Sequence, residues 1–249
     1  MAKSGKIELW RILVAEYLGS LLLAAIVVGS GIAAQSLSPG DVGLQLFENA
    51  AATAAGLFAI ILMFGAVSGA HLNPVISFVD AALGGISWRQ ATAYLPAQVA
   101  GCISGAVLAN VMFSLNAVSL STHLRATGPH LVSEVVATAG LVLIIFTLAR
   151  TGRGAVTPAA VGAYIGAAYF FTSSTSFANP AIAIGRMFSN TFAGIAPSSV
   201  PPFIGAELVG GLVGLAVIAI LYPGLTPEEA QDVVVPHRGG SLPDSPPPA

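Results

Sequence analysis

Two stretches, Ser68-Gly69-Ala70-His71-Leu72-Asn73-Pro74-Val75 and Ser176-Phe177-Ala178-Asn179-Pro180-Ala181, decide how this chain folds. In each, Asn stands directly before Pro. Asn is a strong helix N-cap because its side-chain oxygen accepts from orphan backbone N–H groups of the first turn. Pro suits the first helical position, where its missing N–H costs nothing. Both pairs therefore open helices. The apolar runs that follow them extend about ten residues, too short to cross a bilayer and suited to re-entrant half-helices.

Around these two breaks lie six longer apolar segments, near 11–33, 44–66, 89–113, 131–149, 157–173 and 201–222. Each approaches the roughly 20 residues that an α-helical span requires. Apolar residues make up 55% of the 249 and charged residues 8%, where a soluble domain carries about a quarter charged. Lipid is thus most of the solvent. Strand-like alternation is missing and the runs are too long for barrel strands, which argues against a β-barrel. With a net charge of −2 and no basic patch, nucleic acid is not an expected partner. The one cysteine, Cys102, cannot build a disulfide framework within the chain. It reads as a small packing residue, with a thiolate site for a metalloid as the alternative.

The two halves match. Leu13-Val14-Ala15-Glu16 opens the first span as Leu131-Val132-Ser133-Glu134 opens the fourth, and Asn73-Pro74-Val75 returns as Asn179-Pro180-Ala181. Pro96-Ala97-Gln98-Val99-Ala100-Gly101 returns as Gly205-Ala206-Glu207-Leu208-Val209-Gly210. Three spans per copy is an odd number, so the second copy enters the membrane upside down. An inverted repeat places its functional site at the repeat interface near the midplane, where the helices are broken. The two half-helix N-termini then meet there, each carrying on the order of half a positive charge. The Asn73 and Asn179 amides add hydrogen-bond donors for a neutral solute. Such a pore rejects cations, protons included.

At this point the chain resembles the major intrinsic protein family, the aquaporins and aquaglyceroporins. Residues 68–75 are similar to the family's first signature, with Val75 in place of the usual Ala, and residues 176–181 resemble the second. The resemblance implies an aquaporin-like fold with an inverted 3+3 repeat, no enzymatic activity, no cofactor and a homotetramer with one pore per subunit. It divides the chain into a cytoplasmic N-terminus (1–10), a channel domain (11–222, with repeats about 11–113 and 131–222) and a Pro-rich, disordered tail (223–249). Pro74 and Pro180 belong with the two Asn residues, Val75 and Ala181 to the pore constriction.

In the family an Arg immediately after the second Asn-Pro-Ala forms the cationic edge of an outer constriction. Here that position is Ile182, which neither donates hydrogen bonds nor carries charge. Arg186, about one turn further on, lies roughly on the same face. Two roles are open to it: restoring charge to the pore mouth, or bracing loop carbonyls and facing headgroups. Family spacing adds Ser176, and it puts Thr53 where water-selective members carry an aromatic. The fifth-span contributor is Ala167 by ungapped counting or Tyr169 if the spacing slips by two. A rim with these residues resembles the aquaglyceroporin-like bacterial members. It implies water together with glycerol-like polyols or neutral metalloid hydroxides such as arsenite as permeants. A water-selective aquaporin is the alternative.

Acids inside spans are expensive and mark functional candidates. Glu16 and Glu134 read either as braces for their re-entrant loops or as a proton relay in an ion-coupled transporter. Gln98 and Glu207 read as further loop braces. His71 is a pore-lining candidate, static or pH-gating. His123, Arg125 and His130 fall in a connection expected to be a solvated outer loop and no metal site. A membrane enzyme lacks any visible nucleophile or acid/base constellation. Lys3, Lys6, Arg11, Arg89, Arg150, Arg153 and Arg238 all fall on one side of the span pattern. That bias predicts an inner-membrane protein with both termini cytoplasmic. Glu16 within the first apolar run argues against a cleaved signal peptide.

Overall fold

The computed structural model describes residues 7–222; the predicted tail at 223–249 and the first six residues lie outside that range. Within it the chain is helical: α1 (Leu9–Leu37), α2 (Val42–Ser68), α3 (Pro74–Leu83), α4 (Trp88–Met112), α5 (Gly128–Arg150), α6 (Thr157–Phe171), α7 (Pro180–Gly185) and α8 (Val200–Leu221). Counting the 3₁₀ turns that lead into α6 and α8, which extend them to Gly154–Phe171 and Pro197–Leu221, six helices are long and apolar enough to cross a membrane. They coincide with the six predicted spans to within a few residues at each end. α2 and α4 start where side chains satisfy first-turn donors: Asp41 accepts from Leu44 N at 3.0 Å and Ser87 from Gln90 N at 3.2 Å.

The half-helices are unequal. α3 has the ten expected residues, whereas α7 has six and tightens into a 3₁₀ turn at Arg186–Phe188. Gly185 explains the close fit at this end, since a Cβ there would lie 2.7 Å from the Cys102 backbone in α4.

Packing follows the repeat. α1 packs on α4 as α5 packs on α8; α1 meets α2 as α5 meets α6; α3 reaches α8 as α7 reaches α4. Small residues make the main seams possible. A Cβ at Gly105 would run into Leu21 O of α1, and one at Gly210 would come within 2.6 Å of Val135 O of α5. Both small-residue faces are therefore used inside the protomer, where close backbones gain dispersion contact that lipid cannot supply.

Candidate functional site

Each re-entrant loop turns sharply, with left-handed backbone at residues that carry a Cβ. Ala70 and Leu72 in the first loop have φ of 47° and 52°; Ser176 and Ala178 at the matching places in the second have 53° and 48°. Left-handed backbone at a residue with a Cβ costs on the order of 1 kcal/mol or more. The buried acids offset it. Glu16 Oε1 accepts His71 N at 3.0 Å and Oε2 accepts Leu72 N at 2.7 Å. Ser68 Oγ and Gln98 Nε2 donate to the same carboxylate at 2.6 and 2.8 Å. In the second repeat Glu134 accepts Phe177 N at 2.9 Å and Ala178 N at 2.7 Å, and Glu207 accepts Asn179 N at 3.0 Å. All four side chains are fully buried; the three carboxylates hold loop backbone N–H groups, and Gln98 supports the Glu16 carboxylate from behind.

The two loops then lock together. Asn73 Oδ1 caps its own helix by accepting Val75 N at 2.9 Å, and Asn179 Oδ1 accepts Ala181 N at 3.0 Å. Across the repeat interface Asn73 Nδ2 donates to Ala178 O, and Asn179 Nδ2 donates to Leu72 O, both at 2.7 Å. Each amide nitrogen has two hydrogens, so one on each Asn remains for a solute. Both Asn residues line a central cavity, together with Leu72, Ile76, Leu141, Ile145, Ile165 and His71. Its wall is an apolar slide with a few fixed polar groups, the usual composition of a selective small-molecule path.

Toward the end of the cavity where α7 finishes, Thr53, Tyr169, Ser176, Ile182 and Arg186 line the same space. Thr53 Oγ1 and Tyr169 Oη are 3.1 Å apart. Ser176 Oγ is buried without a hydrogen-bond partner. Arg186 is buried; its Nε donates to Ala193 O, and its guanidinium carbon lies 3.5 Å from the centre of the Phe177 ring. It thus lines the cavity and braces a loop carbonyl at once, and it does not face headgroups. Ala167 is exposed on the outer face of α6 and is not among the lining residues, whereas Tyr169 is.

A model of the major intrinsic proteins matches residues 3–213 of the chain. The chain belongs to the major intrinsic protein family. It is 48% identical over 211 residues to the aquaglyceroporin AqpS of Rhizobium meliloti, spanning 85% of this chain and 90% of that one. A TIP-type probable aquaporin of Antirrhinum majus is 31% identical across 87% of this chain and 91% of its own length. Among solved structures, the aquaglyceroporin of Plasmodium falciparum superposes with a TM-score of 0.64. It does so at 20% identity, covering 86% of this chain and 96% of that one, a likeness of fold.

As a major intrinsic protein this is an integral multi-pass membrane channel and not an enzyme. The expected solvated loop needs correction. Arg125 is half-buried, donating from Nε to Gly194 O at 2.7 Å and from Nη2 to Phe192 O at 2.8 Å, with its guanidinium carbon 5.6 Å from the Phe177 ring. Phe177 therefore meets two guanidinium groups in cation–π contact. Composition could not reveal this, because the carbonyls that hold Arg125 come from the distant loop after α7. His130 Nδ1 lies 2.5 Å from Arg125 O, while His123 is exposed. Asp80 also escaped the sequence reading, although an acid within a ten-residue apolar half-helix was a visible signal. It is buried, with its Oδ2 3.3 Å from His71 Nε2.

Proposed function

We propose that this channel passes small uncharged solutes broadly: water, glycerol-like polyols, and neutral metalloid hydroxides such as arsenite. The observation that carries the reading is the rim, where Ile182 and Thr53 occupy cavity-lining places that carry an Arg and an aromatic in strict water channels of the family. An apolar Ile accepts the carbon side of a polyol. The free amide hydrogens of Asn73 and Asn179, together with Ser176 Oγ, serve its hydroxyls. The similarity to an aquaglyceroporin at 48% identity supports the same reading. Ions are excluded by the two half-helix N-termini meeting at the Asn pair.

One geometry favours a narrower, water-selective pore: the Thr53–Tyr169 pair partly refills the space that Thr53 opens, and Arg186 returns a cation near the rim. Stopped-flow light scattering on proteoliposomes separates the two. The broad pore predicts glycerol and arsenite fluxes well above those of empty liposomes, and water flux alone rejects it. The channel domain works in this proposal as a homotetramer in the inner membrane with both termini cytoplasmic.

A further inference from the structure

His71 lines the half of the cavity on the side where α1 begins, and the groups around it fix more than its position. Its Nε2 lies 3.3 Å from Asp80 Oδ2, with both side chains almost wholly buried. The other carboxylate oxygen, Oδ1, has no hydrogen-bond partner. A carboxyl this sparsely bonded and this buried keeps its charge only beside a counter-charge. The titratable groups facing the ring are Asp80 from α3, Glu16 from α1, whose Oε1 takes the His71 backbone N–H at 3.0 Å, and Tyr94 from α4, edge-on at 5.3 Å. None of the three supplies a positive charge, which leaves the imidazole itself. On the opposite side of the ring Nδ1 lies 3.1 Å from Ser77 Oγ. That hydroxyl accepts Gln98 Nε2 at 3.0 Å and has Asn73 O at 3.1 Å as a carbonyl to take its single hydrogen. With the hydrogen placed there, Ser77 Oγ faces Nδ1 as an acceptor and both ring nitrogens donate, the pattern of an imidazolium.

We infer that Asp80 is a positioning residue that holds His71 as an imidazolium against the pore wall, with both nitrogens engaged by protein groups and withheld from the permeant. A passing solute then meets a compensated charge and a carbon edge, with no imidazole donor or acceptor to bind it. The consequence for flux rests on the proposed permeation of glycerol. The protonation state of the ring is readable with no permeant present, so the two readings fail separately.

The test is nitrogen NMR of ¹⁵N-histidine-labelled full-length protein in liposomes, with the His71 signal assigned by its loss in His71→Gln, paired with glycerol flux across about pH 5 to 8, where an ordinary histidine titrates. Wild type should show a doubly protonated His71 ring throughout and a flat flux profile. In Asp80→Asn the amide keeps the shape but not the charge. The ring should become neutral within the same window, and glycerol flux should fall by about twofold or more at the acid end, where the proton returns without its counter-ion. A wild-type ring that is neutral at the top of the window or an unaltered titration in Asp80→Asn overturns the inference, and so, once wild type conducts glycerol, does a variant flux as flat as wild type. The wild-type spectrum decides the first point even if the variant fails to fold.

Discussion

Ile182 and Arg186 both line the cavity near the end of the outer half-helix, and in the proposed filter they divide a task that one residue performs elsewhere in the family. Ile182 supplies surface without polarity. Arg186 supplies charge, but its Nε is committed to Ala193 O and its plane lies over Phe177, so its fork is already occupied on one side. Ile182→Arg would put a second guanidinium into the open part of the rim. Glycerol flux is expected to drop on the order of tenfold, about 1.4 kcal/mol of barrier, with water flux reduced less; equal loss of both in stopped-flow assays would mean a blocked pore. Thr53→Phe acts from the opposite wall. It removes the hydroxyl that meets Tyr169 Oη and fills the space with a ring, so glycerol should again be slowed more than water. Unchanged solute preference in both variants would show that these residues do not form the filter.

At the scale of elements, the loops depend on acids placed a full helix away. Glu134→Gln is nearly isosteric, yet it replaces an acceptor of two backbone N–H groups, Phe177 and Ala178, with a group whose NH₂ faces a donor. An unsatisfied buried N–H costs about 1–3 kcal/mol. The variant should therefore show a lower Tm in detergent and lose water and glycerol flux in parallel. A coupled carrier would behave differently, keeping downhill flux while losing only its ion dependence. Gly105→Leu tests the α1–α4 seam. Its side chain would collide with Leu21 O and Ala24, backbone and a small neighbour that cannot step aside, so folded yield should collapse, whereas Gly128, with open space around it, should tolerate Ala. The spans and the Asn-Pro helix starts were legible in the sequence because each depends on local residue type or on period. The six-residue length of α7 was not, nor was the close approach of Gly185 to Cys102 across the bundle at its end. Nor was the burial of Arg125, whose partners Phe192 and Gly194 are far along the chain. The choice between Ala167 and Tyr169 turned on the register of one short span, which no pattern of apolar residues fixes when both faces are hydrophobic.

For the whole molecule the decisive feature is that the two inverted halves are tied together at their centre. Asn73 bonds to Ala178 O of the second repeat, and Asn179 bonds to Leu72 O of the first, while the braces behind each loop are fully buried. Alternating access would move one half against the other and break both cross-links along with the half-helix contact at the midplane. Neither Glu16 nor Glu134 is left over to carry a coupling proton, because their oxygens hold loop backbone. Transport should therefore be passive in the strict sense. Glycerol entry into proteoliposomes should rise in proportion to its gradient without saturating at millimolar levels. It should equal exit under a reversed gradient, and it should stay the same when a pH gradient is imposed or collapsed by an ionophore. Accumulation above the external concentration, or a rate that follows the proton gradient, would require the two cross-links to open in each cycle and would overturn the fixed-pore account.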